Sequence, residues 1–204
     1  KIELAEVDRS ETDPQELCRS GGRGFRVSRV IGGDGHRSRP LASPTRFFVA
    51  AFATIDLLDN FGKGGRSSMC GRITLRSDMR QIADIFQTPL PGFDITPRYN
   101  VSPGQFVPAV RGANQREIVQ LRWGLIPSWS KDAKIAFSCL TARADTVKTK
   151  PAFRSAYKSR RCLIPADGYY EWLRQGKDKL PYLYEFDGGK LISLAGLWES
   201  WKDP

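Results

Sequence analysis

Apolar and polar residues alternate along much of the chain beyond residue 69, which is the pattern of half-buried strands. In “CGRITL”, Ile73 and Leu75 fall on alternate positions, and “REIVQLRWGLIP” sets Val119, Leu121 and Trp123 on one face. We predict a strand in each segment. “PYLYEF” and the following “DGGKLISLAGLWESW” predict a hairpin that turns near residues 187–189.

One segment has helical periodicity instead. In “DMRQIADIF”, Ile82, Ile85 and Phe86 lie on one helical face, and Ser77 precedes them as the N-cap. Pro and Gly recur in the loops “ITPRYNVSPGQ” and “GLIPSW”. This mixture predicts an α+β domain that consists mainly of antiparallel β-structure.

The amino-terminal part of the chain has neither period. Residues 1–46 are rich in Gly, Arg, Ser and Asp, so we predict a disordered or extraneous extension over 1–68 and a folded domain over 69–204. The apolar run at 47–58 is too short to span a bilayer and contains Asp56. We find no targeting segment.

The charge of the chain is unevenly distributed. Its 204 residues carry a formal charge of +10. Residues 1–68 hold 11 Lys and Arg against 9 Asp and Glu, whereas residues 69–204 hold 21 against 13. A basic domain of this kind favours a polyanionic partner such as nucleic acid, because bound cations displace counterions from the phosphate backbone.

Cysteine and histidine usage argues against a metal site. The four cysteines form no CxxC pair and the one histidine is His36, so paired zinc ligands are not indicated. A dense disulfide framework is equally unsupported, which favours a reducing, intracellular setting. We expect a cytoplasmic protein, associated with the nucleoid if it is bacterial, that uses no metal or cofactor and contacts no membrane.

Cys70 is the strongest candidate for a nucleophile. It follows Met69, the first methionine of the chain, so a start at Met69 or cleavage after it leaves cysteine at the amino terminus. Its α-amine, with a pKa of about 7.7–8.0, and its thiol, with a pKa of about 8.5, then both supply free base near neutral pH. An aldehyde attacked by both closes to a thiazolidine ring. From the dipeptide alone, an ordinary buried cysteine is the alternative.

Six short blocks occur in the order and approximate spacing of one family: “MCGR”, “RYNVSPGQ”, “RWGLIPSWSKD”, “TARADTVKTKPAF”, “RCLIPADGYYEW” and “LAGLWESW”. Over residues 69–201 the chain thereby resembles the SOS response-associated peptidase family, the abasic-site processing proteins. The resemblance implies a β-rich, barrel-like fold with short helices. It also implies a partner, single-stranded DNA that contains an abasic site, and a thiazolidine crosslink to that DNA through Cys70.

The resemblance implies roles for further residues. Glu171 in “GYYEW” matches the family's active-site glutamate, which would shuttle protons. Arg72 and Arg143 match arginines that contact DNA phosphates, and Asn100 and Pro103 match a loop near the reactive site. Each has an ordinary alternative, namely a solvated carboxylate, a surface ion pair or an asparagine that bonds its own turn.

Aromatic residues in the same blocks raise the question of base stacking. Trp123, Trp129 and Tyr170 are candidates, because stacking on a base is worth about 1–3 kcal/mol. Core packing is the alternative, and the loop “GLIPSW” favours partial exposure of Trp129. Further cations extend the basic character of the region: Arg122, Lys131, Lys134, Lys148 and Lys150.

Two positions depart from the family pattern. Thr141 stands in “TARAD” where the family usually has an active-site asparagine, and its hydroxyl has a shorter reach and no amide. The family's catalytic histidine lies in an “HDRMP”-like motif downstream of “AGLWE”, and no such motif precedes Pro204. We therefore expect weakened positioning of the reacting groups and a domain whose C-terminal part is missing.

Three functions are open on these grounds. The first is an abasic-site sensor that crosslinks to single-stranded DNA through Cys70, with a self-cleaving peptidase or lyase activity that these departures would impair. The second is a non-catalytic DNA-binding remnant that keeps Arg72 and Arg143. The third is a thiol peptidase that acts on other proteins, for which no cysteine–histidine pair is available.

Overall fold

The structure is a computed structural model. It describes residues 71–112, 114–186 and 189–204, with the backbone alone at 173–174 and in three earlier strands. The strands are β1 (Glu3–Ala5), β2 (Phe25–Ile31), β3 (Arg46–Thr54), β4 (Arg72–Leu75), β5 (Arg98–Val101), β6 (Phe106–Arg111), β7 (Glu117–Trp123), β8 (Thr141–Arg143), β9 (Arg161–Ala166), β10 (Gly168–Gln175), β11 (Asp178–Phe186) and β12 (Ile192–Lys202). The helices are α1 (Met79–Phe86), α2 (Arg154–Ser159) and a 3₁₀ helix at Ala133–Ser138.

The first sheet has the strand order β1-β2-β11-β10-β4-β5, and each neighbouring pair is antiparallel. β10 and β11 form a hairpin in which Gln175 lies opposite Asp178. The connection contains Gly176 at φ +62°, a left-handed conformation that glycine adopts at little cost. This hairpin positions β10 against β4.

The second sheet has the order β12-β9-β6-β7-β3-β8, and β3 also pairs with β12. Five strands therefore form a closed ring: β12, β9, β6, β7 and β3. β8 pairs with β3 outside this ring. Only the β3–β7 and β3–β8 pairs are parallel among the described pairings. The predicted α+β fold, mainly antiparallel with a barrel-like core and short helices, is confirmed.

The main hydrophobic core joins the two sheets through α1. Ile73 and Leu75 of β4 are fully buried, as are Leu121 and Trp123 of β7, in agreement with the predicted alternation. Val119 is half-buried and packs against the same cluster. Because β4 contributes two fully buried side chains, the strand that carries Arg72 is fixed by the core.

The helix α1 begins one residue later than predicted. Its N-cap is Asp78, whose carboxylate accepts a hydrogen bond of 2.8 Å from the backbone N–H of Gln81. The Gln81 side chain accepts one in return from the backbone N–H of Asp78, which completes a capping box. Ser77, the predicted cap, donates its hydroxyl to Asp167 instead.

The buried face of α1 is also narrower than predicted. Met79, Ile82, Ala83 and Phe86 are buried, whereas Ile85 is 58% exposed. The buried positions follow the i, i+3, i+4, i+7 spacing of one stripe. Residue 85 lies one step of about 100° from Phe86 on the side away from this stripe, so its assignment to the buried face was wrong.

The predicted hairpin between “PYLYEF” and “LISLAGLWESW” was wrong. Both strands form, but β11 pairs with β10 and β2 in the first sheet, whereas β12 pairs with β9 and β3 in the second. The short connection at Gly176 already gives β11 an antiparallel neighbour. The chain then crosses to the second sheet, where Leu197 and Trp201 of β12 are buried.

The first two strands lie in a segment for which the sequence shows no strand periodicity. β1 and β2 fall within residues 1–46 and pair with each other, and β2 also pairs with β11. The division into 1–68 and 69–204 stays a prediction. Within the described part of the chain, no helix has the length and apolar character needed to cross a membrane.

Candidate functional site

The side chains of Arg72 and Asn100 meet at the edge of the first sheet. Nη1 of Arg72, at the start of β4, donates a hydrogen bond of 2.8 Å to Oδ1 of Asn100 in the edge strand β5. The β4–β5 register shifts between Ile73 and Leu75, so β5 bulges and redirects its side chains. The amide thus orients an exposed guanidinium, whose planar fork suits phosphate oxygens.

Tyr170 links β10 to this edge. It lies directly opposite Arg72, and its hydroxyl donates a hydrogen bond of 2.8 Å to the backbone oxygen of Tyr99 in β5. Burial raises the pKa of Tyr170, and the charge of Glu185 raises it further. The phenol therefore stays protonated and keeps its bond to β5.

Glu171 follows Tyr170 and projects from the opposite face of β10, since successive strand side chains alternate. Tyr170 and Trp172 share the other face, with ring centroids 6.3 Å apart. One carboxylate oxygen of Glu171, Oε2, is shielded from solvent. If the β10–β4 register is continued by one residue, Glu171 lies opposite Gly71, the residue that follows Cys70.

Cys70 itself lies outside the described residues. Cys139 and Cys162 are described, and both are buried free thiols. Burial raises the pKa of both thiols, that of Cys162 to about 12. A buried thiol with a raised pKa is a poor nucleophile at neutral pH, so neither residue is a rival to Cys70.

A buried carboxylate that the sequence analysis missed supports β4. Asp167 is 3% exposed and accepts hydrogen bonds from the backbone N–H groups of Arg76 and Ser77. Its own N–H donates to the backbone oxygen of Thr74 at 2.9 Å. Asp167 therefore fixes the end of the strand that begins at Arg72. An aspartate directly after the apolar strand “RCLIPA” is the signal that was available.

A tight turn follows Asn100. The backbone N–H of Gln105 donates to the oxygen of Ser102 at 3.2 Å, and Gly104 has φ +86°. Proline at the second position and glycine at the third are the residues that a type II turn favours. Pro103 is half-buried in this turn.

Trp123 connects this turn to β8. It is 1% exposed, so its assignment as a DNA-contacting residue was wrong: a base cannot reach its ring. The backbone N–H of Gly104 donates to the oxygen of Trp123 at 2.8 Å, and that of Trp123 donates to the oxygen of Gln105 at 2.9 Å. The indole Nε1 donates to the oxygen of Leu140 at 3.0 Å, immediately before β8.

Thr141 and Arg143 lie in β8, in the second sheet, whereas Arg72 and Glu171 lie in the first. Thr141 is 8% exposed. Arg143 is exposed, and its Nε and Nη2 atoms lie 3.1–3.3 Å from the carboxylate of Asp145. The hydrogen bonds from Arg143 lower the pKa of Asp145, so this carboxylate is ionised at neutral pH.

Trp129 presents an accessible ring at 60% exposure, in line with the partial exposure expected of its loop. The backbone N–H of Ser130 donates to the oxygen of Pro127 at 2.9 Å, which closes a turn around it. The buried Trp201 donates its Nε1 hydrogen to the oxygen of Ser130 at 2.7 Å. The loop is thus anchored to the core while the Trp129 ring faces solvent.

The other predicted cations lie between residues 122 and 150 and are exposed or half-buried. Arg122 is half-buried and donates from Nε to the oxygen of Gly104 at 3.1 Å. Four are exposed: Lys131, Lys134, Lys148 and Lys150. Among the described residues, no group of three or more His, Cys, Asp or Glu side chains is arranged to hold a metal ion.

A sequence model described as SOS response associated peptidase (SRAP) matches residues 69–204. The chain belongs to the SRAP family. The match begins at Met69, so Cys70 is its second residue and the Arg72 strand follows at once. It contains every site residue considered above.

Several SRAP relatives carry the name abasic site processing protein. YoqW of Bacillus subtilis is 43% identical over 141 residues, which cover 67% of this chain and 62% of YoqW. YoaM of the same organism is 45% identical over 138 residues, which cover 65% of this chain and 60% of YoaM. HMCES of Xenopus tropicalis is 30% identical over 138 residues, which cover 53% of this chain and 41% of HMCES. The chain thus spans about three-fifths of the length of these bacterial relatives.

Two crystal structures share the fold. A protein from Bacteroides thetaiotaomicron has a TM-score of 0.57 at 26% identity, covering 66% of this chain and 62% of that protein. A protein from Bordetella bronchiseptica has a TM-score of 0.54 at 22% identity, covering 66% and 70%. The fold of about two thirds of this chain is therefore shared with both proteins.

Proposed function

We propose that this chain is an abasic site processing protein that binds single-stranded DNA and crosslinks to an abasic site through Cys70. The observation that carries the proposal is the SRAP match from Met69 onward, in which Cys70 is the second residue. Relatives at 43% and 45% identity bear the corresponding name. The basic balance of residues 69–204 agrees with a polyanionic partner.

The proposed reaction uses both nucleophiles of an amino-terminal cysteine. The α-amine attacks the aldehyde carbon of the ring-opened sugar, and loss of one water gives a Schiff base. The thiol then adds to the same carbon, its proton passes to the imine nitrogen, and a five-membered thiazolidine forms. The step needs no oxidant or reductant. It does need the amine of Cys70 to be free, so residues before it have to be removed.

Arg72 and Asn100 support this proposal as a contact for the DNA backbone. A guanidinium oriented by an amide can donate to two oxygens of one phosphate. Arg143 would hold a second phosphate, and the exposed ring of Trp129 offers a surface for an unpaired base. Pro103, in the turn after Asn100, would border the sugar.

Glu171 would move protons in this reaction. Its carboxylate neighbours the register position of Gly71, and a carboxylate near the α-amine can take the proton that the amine releases and return it to the leaving hydroxyl. The shielding of Oε2 limits competition from bulk water. Glu171→Gln, which keeps the shape and removes the base, should slow crosslinking without weakening the binding of DNA.

Thr141 favours a second candidate function, DNA binding without a crosslink. The threonine is buried, and it stands where SRAP members usually have asparagine. Its hydroxyl is shorter than an amide and offers fewer bonds. Thr141→Asn should therefore speed crosslinking if the first function is right.

A crosslinking assay separates the two functions. The chain expressed from Met69 is incubated with single-stranded DNA bearing one abasic site and analysed under denaturing conditions. A resistant band is expected, and Cys70→Ala should abolish it whereas the matched variant Cys162→Ala should keep it. Absence of the band in the unsubstituted chain expressed from Met69, or its persistence in Cys70→Ala, would refute the crosslinking function. Retained non-covalent binding would then support the second function.

The intact mass of the cellular protein tests the requirement for a free amine. We expect a polypeptide that begins at Cys70. A protein that retains residues 1–69 in full would contradict the mechanism, because the Cys70 amine would be locked in a peptide bond.

A further inference from the structure

A broad groove opens at the end of the β6–β7 hairpin that lies away from the turn at Gly104. Its volume is about 1060 Å³. Arg111 pairs with Glu117 at this end of the hairpin, and Phe106 lies at the other end of β6. Five residue steps of about 3.4 Å separate the two ends, so the groove lies about 17 Å along β6 from the turn that borders the proposed DNA contact. We call it the basic groove, and its lining includes Arg111, Arg116, Lys158, Arg161, Leu163 and Trp198.

Positive charge dominates the basic groove. Among its described lining residues, four are cationic and one, Glu117, is acidic. Oε1 of Glu117 accepts a hydrogen bond of 2.7 Å from Nε of Arg111, so this carboxylate is already neutralised within the groove. Lys158 and Arg161 are exposed, and none of the ion pairs between described residues involves them. The groove therefore attracts carboxylates.

Apolar side chains lie beside these cations. Leu163 of β9 is 42% exposed and lies directly opposite Val110 of β6, so the two side chains share one face of the sheet. Phe86, at the end of α1, also lines the groove and is buried with Val110 in the main core. The exposed part of Leu163 thus offers a contact for an aliphatic side chain, on a base that the core holds fixed.

Arg111 is held in the basic groove from two sides. Its guanidinium carbon lies 4.6 Å from the centre of the Trp198 ring, and Glu117 binds its Nε. Trp198 is half-buried, and its backbone N–H donates to the oxygen of Arg160 at 2.9 Å. Tryptophan and arginine are enriched among the residues that contribute most to protein–protein binding. Because Arg111 covers one face of the Trp198 ring, that face is closed to a nucleic acid base.

We propose that the basic groove binds an acidic segment of a partner protein that also carries leucine or a similar aliphatic residue. Its carboxylates would bind Lys158 and Arg161, and its aliphatic side chain would pack on Leu163. A peptide fits better than nucleic acid, because the described lining holds no exposed aromatic ring on which a base could stack. The proposal adds a partner to the molecule and does not depend on the crosslinking function.

The size of the groove also suits a peptide. Small-molecule sites have volumes of about 300–1,000 Å³. The basic groove, at about 1060 Å³, lies at the upper limit of this range and accommodates several side chains of an extended segment.

A double substitution of cations tests the charge contact. Binding of a fluorescein-labelled peptide that alternates glutamate and leucine to the full chain is measured by anisotropy. We expect Lys158→Gln combined with Arg161→Gln to weaken binding about 3- to 30-fold. The matched control is Lys179→Gln combined with Arg80→Gln, which removes the same charge from exposed residues outside the groove lining and should change the affinity little. Equal effects of the two pairs would overturn the proposal, because net charge alone would then account for binding.

Leu163→Ala tests the apolar contact. It should weaken binding of the glutamate–leucine peptide about 3- to 10-fold, because it removes methyl groups that the leucine side chains contact. Leu90→Ala removes a leucine side chain that is 58% exposed outside the groove lining, and it should leave binding unchanged. A second peptide, with serine in place of leucine, should bind the unsubstituted chain more weakly; equal affinity for the two peptides would refute the apolar contact. Thermal unfolding of every variant controls for loss of fold.

The proposal and the crosslinking function can fail separately. If the unsubstituted chain does not bind the glutamate–leucine peptide, the groove assignment is overturned, and a crosslink through Cys70 would still uphold the crosslinking function. If the substitutions at Lys158 and Arg161 weaken the binding of oligothymidylate more than the control pair does, the groove binds nucleic acid and the peptide assignment is wrong. If the peptide binds as expected and no crosslink forms, the crosslinking function fails and the groove assignment holds.

Discussion

Cys162 retains its proton in the folded chain far above the pH at which an exposed thiol loses it. Burial raises its pKa to about 12, against an opposing effect of the Arg111 charge, whereas an unfolded thiol titrates near pKa 8.5. The folded state therefore binds more protons than the unfolded state between these values. The resulting stability is complete below about pH 8.5 and declines as the pH rises towards 12.

Cys162→Ala removes this pH dependence. We expect the difference in unfolding free energy between the native chain and the variant to shrink by about 2.5 kcal/mol from about pH 8 to about pH 10.5. Urea denaturation at both pH values measures it. Parallel stability profiles for the two proteins would show that Cys162 titrates normally, and would contradict its burial in the fold.

Two tryptophans of one motif show what the sequence could predict of the site. Trp123 lies on the same strand face as Leu121, and the alternation that places both in the core is readable without a structure. The prediction that Trp123 contacts DNA followed from its motif and disregarded this alternation. Trp129 follows a proline-containing loop with no such period, and it is exposed as expected. The network around Asp167 could not be predicted, because it joins residues about ninety positions apart.

At the scale of elements, the type II turn at residues 102–105 depends on Gly104. An added Cβ would meet only Nη2 of Arg122, at 3.8 Å, so space is available. The strain of a side chain at φ +86° is the remaining cost, about 1 kcal/mol. Gly104→Ala should therefore lower the unfolding free energy by about this amount.

Gly92→Ala is the matched control for that measurement, since nothing lies within 4 Å of the added Cβ there and its φ is not in the left-handed range. In urea denaturation it should equal the native chain or exceed it slightly, because alanine restricts the unfolded state. Equal effects of the two substitutions would mean that the turn does not require glycine.

The strands β4, β7, β11 and β12 were predicted from the alternation of their side chains, but the partners of β11 and β12 were not. The alternation in β11 and β12 is compatible with any antiparallel neighbour. The two strands were predicted to pair with each other because they are adjacent in sequence. The chain instead uses Gly176 for the tight hairpin and sends β12 to the second sheet. Pairing across sheets is decided by which faces are buried together in three dimensions, which a local period does not encode.

At the scale of the whole molecule, the proposed binding of DNA depends on the distribution of charge. Residues 69–204 hold 21 basic and 13 acidic residues. This basic excess predicts an affinity for DNA that falls steeply as the salt concentration rises. Local carboxylates reduce this attraction. Asp145 is the clearest case, because it remains ionised beside Arg143, one of the proposed phosphate contacts.

Asp145→Asn should therefore raise the affinity for single-stranded DNA. The substitution removes a negative charge beside a proposed phosphate contact and frees the Arg143 guanidinium from an ion pair that is exposed and so contributes little to stability. We expect a gain of about 2- to 5-fold at low salt that diminishes as salt is added, measured by fluorescence anisotropy. Asp178→Asn removes an exposed carboxylate in the β10–β11 hairpin and should give a smaller gain. If Asp145→Asn left affinity unchanged, or Asp178→Asn matched it, Arg143 would not contact DNA.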